Sequence, residues 1–233
     1  DTDRVWTSDA ETRFRKMITL PPLVINIGAP VSVTTEDVVL TTDFNNVQFF
    51  FWADKAHYYI DATSTWSTSE HTIPALPTDA VSFLNVLYVA YGTGYSTGTV
   101  GGTWADVAAA PATFWTVWDT KLWKIGLNSN IWTIYSSTDG AAFTAKGTLP
   151  QGVAVHDIFV YRDVSGASSI FVSTDIGLWS YDATNQRFLQ TEVVIPKMPL
   201  AQTSRTTGFR DGKLYMNTGG LGIVAIQAGN PFI

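Results

Sequence analysis

Cysteine is absent from the 233 residues, which removes disulfides, thiolate metal sites and cysteine nucleophiles together. Charge is scarce as well. Only 15% of residues are charged, and 20 acidic against 14 basic groups leave a net charge of −6. Affinity for nucleic acid comes mostly from Lys and Arg, so this balance argues against a nucleic-acid partner. No stretch reaches the roughly 18–20 continuous apolar residues that a membrane span needs. The most hydrophobic segment, 80–91, is broken by Ser82 and Asn85 and reads as two strands. N-x-[ST] sequons are missing too. The chain opens at Asp1 without Met or a basic-then-apolar leader, which leads us to expect a processed product, an excised domain or part of a longer chain.

Apolar residues are abundant instead. They make up 45% of the chain, and nine Trp stand among them; disordered chains are poor in both, and a chain of this length can bury a core unaided. A repeat runs through it, an aromatic followed seven or eight positions later by Pro. The pairs are Phe14 and Pro21, Trp66 and Pro74, Trp104 and Pro111, Phe143 and Pro150, and Phe188 and Pro196.

A second repeat falls inside each step: an aromatic, a turn with Asn or Asp, an apolar residue and a further aromatic. The copies begin at Phe44, Phe83, Trp118, Tyr161 and Phe209. Asn, Asp and Gly at such tips permit the positive φ of tight hairpins. Each unit then reads as four strands, A to D. In one unit they are 114–118, 121–126, 131–136 and 143–148; in the next, 158–161, 169–172, 178–181 and 187–194. Segment 105–110 alone looks helical, and the repeat places it on a D strand. Four-stranded units repeated every 40–50 residues or so are β-propeller blades, and a β-sandwich is the alternative. The expected fold is all-β: a five-bladed β-propeller of four-stranded antiparallel blades, closed by N- and C-terminal strands sharing a blade. The blades span 22–74, 75–111, 112–150, 151–196, and 197–233 together with 1–21.

The segment Ser137-Thr138-Asp139-Gly140-Ala141-Ala142-Phe143 resembles the Asp-box, S-x-D-x-G-x-x-W, of sialidase-like propellers, with Gly140 and Phe143 each one place early. Weaker echoes stand at Tyr181-Asp182-Ala183 and Ser8-Asp9-Ala10. The resemblance implies that Ser137, Asp139 and Phe143 build a structural C–D turn, with Asp139 capping it and Phe143 packed between sheets. It speaks for fold rather than function.

Catalytic endowment is thin. A glycosidase needs two facing carboxyls, yet the four Glu (Glu11, Glu36, Glu70, Glu192) fall on no inner strand, and Asp157 has no evident partner. His57, His71 and His156 lack metal-ligand spacing. We therefore expect no catalytic residues, no metal and no cofactor. The remaining candidates are loop residues at the B–C turns: Asp54, Lys55, Tyr95, Asn128, Asn130, Asp175 and Asn217, a mixture of groups that grips hydroxyl-rich ligands or polar protein surfaces. The expected function is a non-catalytic binding or assembly module of a larger extracellular, cell-surface or virion (phage-like) structure, with a protein partner. A glycan-binding lectin and a sialidase-like glycosidase are the alternatives.

Overall fold

The computed structural model describes residues 4–6, 17–19, 38–60, 62–67, 71–162, 167–191, 207–210, 213–217 and 223–227, the first two and last three strands through their backbone pairing. The described residues contain strands and turns and no helix. Strands β1 (Arg4–Trp6) and β2 (Met17–Thr19) pair with each other. The first large sheet holds β3 (Val38–Phe44), β4 (Val47–Trp52), β5 (Lys55–Ile60), β6 (Thr65–Trp66) and β7 (His71–Thr72), the last two both pairing with β5. The second runs β8 (Asp79–Phe83), β9 (Val86–Ala90), β10 (Tyr95–Gly98), β11 (Ala105–Val107). The third is β12 (Phe114–Trp118), β13 (Lys121–Asn128), β14 (Ile131–Ser137), β15 (Thr144–Thr148), and the fourth β16 (Val155–Arg162), β17 (Ser168–Thr174), β18 (Gly177–Asp182), β19 (Arg187–Gln190). A three-stranded sheet of β20 (Thr207–Arg210), β21 (Lys213–Asn217) and β22 (Ile223–Gln227) follows, separate from the β1–β2 pair. Segment 105–110 thus supplies the short strand β11, its helical composition overridden by pairing with β10.

The turn chemistry is what the repeat required. Asn45–Asn46, Leu84–Asn85 and Asp119–Thr120 join first to second strands with both central residues at φ between 46° and 62°. That is the type I′ geometry whose twist matches antiparallel strands. Leu84, 64% exposed, holds this conformation without the side chain that usually favours it. Pro74, Pro111 and Pro150 stand between the last strand of one sheet and the first of the next, where no ladder needs an N–H.

First strands of successive sheets lie against one another, β3 by β8, β8 by β12, β12 by β16 and β16 by β20. Burial falls outward from them: β12 and β16 are mostly buried, whereas β11 and β15 have no buried residue. The sheets are therefore arranged as propeller blades, and the core is layered between them. On β9, Leu87 and Val89 face the first sheet while Tyr88 and Ala90 face the third. Successive strand residues point to opposite faces, so a central strand feeds two layers. On β13, Trp123 and Ile125 belong to the layer shared with the fourth sheet, and Leu122 to that shared with the second.

Hydrogen bonds cross these layers. Asp79 is 3% exposed, and its Oδ2 accepts the Trp115 N–H at 2.7 Å. Thr78 Oγ1 donates to the Thr113 carbonyl at 2.7 Å, and the Trp132 indole donates to the Val153 carbonyl at 2.8 Å.

Candidate functional site

The aromatic five residues beyond each first-strand aromatic recurs as Phe49, Tyr88 and Trp123. It lies in the layer shared with the following sheet, opposite that sheet's third-to-fourth-strand region. Three such layers result, and they end differently.

Between the second and third sheets the space is filled. The hairpin joining β14 to β15 folds over Tyr88, so a Cβ on Gly140 would overlap the Tyr88 hydroxyl, and Gly140 sits at φ +76°. Phe143 packs 5.9 Å from Tyr95 and 5.8 Å from Trp115 between ring centroids. The hairpin is shaped by Asp139, whose Oδ1 accepts the Ser137 hydroxyl at 2.7 Å and the N–H groups of Ala141 and Ala142 at 2.9 and 3.0 Å. Asp182 forms a similar turn in the fourth sheet, accepting from Thr184 and Asn185 N–H at 3.0 and 3.1 Å. Phe143 is half-buried rather than fully enclosed.

The Ser137 hydroxyl first, then the Ala141 and Ala142 N–H groups, hold the Asp139 carboxyl down at about 2 from 3.8. A folded-state pKa below the unfolded one stabilises the fold above pH 3.8 and loses that contribution as pH falls through about 2. Asp139→Ala is therefore expected to melt below the wild type at pH 7, with the gap in Tm closing near pH 2 by circular dichroism. A gap independent of pH would assign the loss to something other than the charged cap.

Between the third and fourth sheets the corresponding space is open. A groove of about 290 Å³ is walled by Trp118, Trp123 and Tyr181, with Lys121, Lys146 and Gln186 among its polar lining. Trp123 and Tyr181 are each 4% exposed, and Trp118 is half-buried. Their polar atoms are all occupied within the protein. The Trp123 indole donates to the Trp118 carbonyl at 3.0 Å, the Trp118 indole to Ser168 Oγ at 3.0 Å, and the Tyr181 hydroxyl to the Lys146 carbonyl at 2.9 Å. Half-buried Lys121 donates from Nζ to exposed Asp119 Oδ2 at 3.4 Å.

A smaller groove of about 210 Å³ lies between the first and second sheets, bordered by Phe49, Tyr58, His71 and Trp104. His71 stacks on Trp104 at 4.9 Å and 8°. Its Nε2 is 3.0 Å from Asp106 Oδ1, which also accepts the Ser96 hydroxyl at 2.6 Å. A hydrolytic triad places imidazole between hydroxyl and carboxylate. Here the carboxylate is in the middle, so the trio ties two sheets together.

The B–C turns, at the opposite ends of the strands, carry the seven residues singled out by sequence. Tyr95 is not an exposed rim residue: it is 4% exposed, at the start of β10, in T-shaped contact with Trp115 at 5.3 Å. Its alternation on β10 turns it into the layer below the third sheet, and Tyr95→Ala is a core change. Asp175 is half-buried and works as a clamp, its Oδ1 accepting the Ala154 N–H at 2.9 Å while its own N–H donates to the Ala154 carbonyl at 3.0 Å. Asp54 and Lys55 are half-buried, with the Asp54 carbonyl accepting from Ile73 N–H at 2.7 Å. Asn128 and Asn130 are exposed. Asn217 ends β21, and its side chain lies outside the described residues. Asp157 is 1% exposed on β16; Glu11, Glu36, Glu70 and Glu192 lie outside the described residues, as does the echo at Ser8. Among the described residues no group of three His, Asp or Glu has metal-site geometry.

No known family model matches the chain, and no curated protein sequence does. Solved structures share its fold at low identity. The extracellular domain of BT4673 from B. thetaiotaomicron, of a hybrid two-component system, superposes with TM-score 0.52 at 15% identity over 83% of this chain and 28% of that one. PorZ, a surface component of the type-IX secretion system of Porphyromonas gingivalis, gives 0.54 at 9% over 83% and 25%. Streptogramin B lyase gives 0.53 at 12% over 82% and 68%. The chain thus spans about a quarter of the first two proteins. These likenesses establish a β-propeller-like fold.

Proposed function

We propose that this chain is a non-catalytic binding module, a five-bladed propeller serving a larger extracellular assembly, and that it binds through the end carrying the A–B and C–D turns. The carrying observation is the aromatic groove between the third and fourth sheets, open at that end, with two lysines and rigid aromatic walls. Ligand sites combine apolar walls with a few placed polar groups, and this groove has that makeup. The hairpins with capping Asp139 and Asp182 support membership in the Asp-box class. Five successive first strands, β3 to β20, support the five-bladed reading, in which β1 and β2 would complete the fifth blade. An extracellular location is supported by the neighbours' own setting, an extracellular domain and a surface component.

Two charge-change pairs test the reading on a printed glycan array and on whole bacterial cells. Lys121→Glu with Lys146→Glu is expected to abolish binding, while Asn128→Arg with Asn130→Arg leaves it intact. Loss with the asparagine pair alone would move the site to the B–C end. Turnover of chromogenic glycosides by the wild type would replace binding with catalysis.

A further inference from the structure

We propose that the groove between the third and fourth sheets takes an anionic pyranose, its ring stacked on Trp118 and its acid group on Lys146 and Lys121; this rests on the binding-module reading above. The aromatic walls offer faces rather than donors. Both indole N–H groups and the Tyr181 hydroxyl are already bonded inside the protein. Rings fixed in this way lose little freedom on binding, which lowers the cost of association. A flat apolar face suits the C–H side of a sugar ring, while Ser136, Thr144 and Gln186 supply hydroxyl and amide partners for its edges.

The charge of the groove gives the acid group. The chain is acidic and holds only 14 basic residues, yet two lysines line this one space against one carboxylate, Asp119, which leaves its lining net positive. Lys146 makes no ion pair among the described residues, while Lys121 donates to Asp119 at 3.4 Å at the groove's edge. The nearby guanidinium of Arg187 is instead engaged with Asp182 at 3.7 Å. An ammonium is a point charge without a preferred fork, so it accepts a carboxylate or a sulfate equally. Size limits the occupant. At about 290 Å³ the groove lies at the small end of ligand sites, which run to roughly 1,000 Å³, room for one or two sugar rings and not for a folded protein segment.

Isothermal titration calorimetry with trigalacturonate, its methyl ester and galactose 6-sulfate tests this. Trigalacturonate is expected to bind about tenfold or more tightly than the uncharged ester, the worth of one charge-assisted contact. Lys146→Met should weaken the acid to the level of the ester without altering the ester itself. Trp118→Ala should remove both, and Trp118→Tyr should restore part, which separates lost stacking from a misfolded sheet. Galactose 6-sulfate binding would extend the acid class to sulfate and support the proposal. Equal affinity for acid and ester, no heat with any of the three sugars, or equally tight binding of a poly-glutamate peptide would overturn it. If these sugars fail while the Lys121→Glu and Lys146→Glu pair still abolishes binding to cells or array, only the ligand class falls. If that pair has no effect either, the binding-module reading falls with it.

Discussion

Trp115→Ala is expected to lower the free energy of unfolding by about 3–5 kcal/mol, the range for deleting a large buried aromatic. Trp115 is fully buried. Its ring meets Tyr88 at 5.5 Å, Tyr95 at 5.3 Å and Phe143 at 5.8 Å. These three come from the second sheet and from the hairpin of the third, so one ring joins strand, neighbouring sheet and hairpin tip. The main chain adds to it, since the Trp115 N–H is the donor to the buried Asp79 carboxylate. With about 2–4 °C lost per kcal/mol in a chain of this size, Tm should fall by about 6–20 °C. Calorimetric melts of Trp115→Ala and Trp115→Phe should order wild type above Phe above Ala. An unchanged Tm for Trp115→Ala would mean that the second and third sheets are not packed as described.

Stability is expected to rise from pH 8 to pH 10, against the usual trend at alkaline pH, and Lys124 is the reason. Strand alternation sends Lys124 into the layer between the second and third sheets, on the same side of β13 as Leu122. There it is 3% exposed. Its Nζ donates to the Ala110 carbonyl at 3.0 Å and lies 4.7 Å from the ring centres of both Tyr95 and Phe143 and 5.3 Å from that of Tyr135. Aromatic faces attract the cation, but burial outweighs them and pulls the ammonium down to about 8 from 10.5. Between those values the unfolded chain holds a proton that the folded one has released. Unfolding therefore takes up a proton, and stability increases with pH across the interval, by up to about 3 kcal/mol at 1.36 kcal/mol per pH unit. Burial holds the tyrosines at 88, 91, 95 and 181 above 10 in the fold, so their ionisation reverses the trend above that pH. Urea melts at pH 7, 8, 9 and 10 check the slope. Lys124→Met is expected to flatten it and to be at least as stable as wild type at pH 7, because an apolar side chain of similar length suits the layer. The same slope in both proteins would remove Lys124 as its origin.

The frame was legible because hairpin chemistry and proline placement are local. Asn45–Asn46, Asn85 and Asp119 announce turns through their own backbone preferences, carrying Leu84 and Thr120 with them, and Pro111 and Pro150 mark sheet crossings regardless of what packs around them. The site was less legible. Tyr95 looks like a loop residue after Gly92 and Gly94, but pairing with Ala90 makes it the first residue of a strand whose face is buried. Lys121 and Lys146 are 25 residues apart on different strands and meet only because β13, β14 and β15 lie side by side. The sequence did carry one usable signal for the groove, the recurring aromatic at Phe49, Tyr88 and Trp123. Its role was hidden because the same position fills a layer in one sheet and walls a groove in another.

That recurring position has a consequence for how such a protein diversifies. The layer at Tyr88 is sealed by the chain's own hairpin, with Gly140 admitting the tyrosine hydroxyl and Phe143 occupying the space a guest would take. The layer at Trp123 faces a hairpin from 183 to 186 that leaves the space vacant. The two differ in a handful of tip residues, none of which belongs to a ladder or to the inner strands. These two seams are thus one socket with a built-in plug and one that stands open, and short changes in hairpin tips can switch one for the other while the framework stays as it is. With the open seam binding as proposed, specificity in this architecture can drift at the hairpin tips, one seam acquiring, trading or losing an occupant independently of the other.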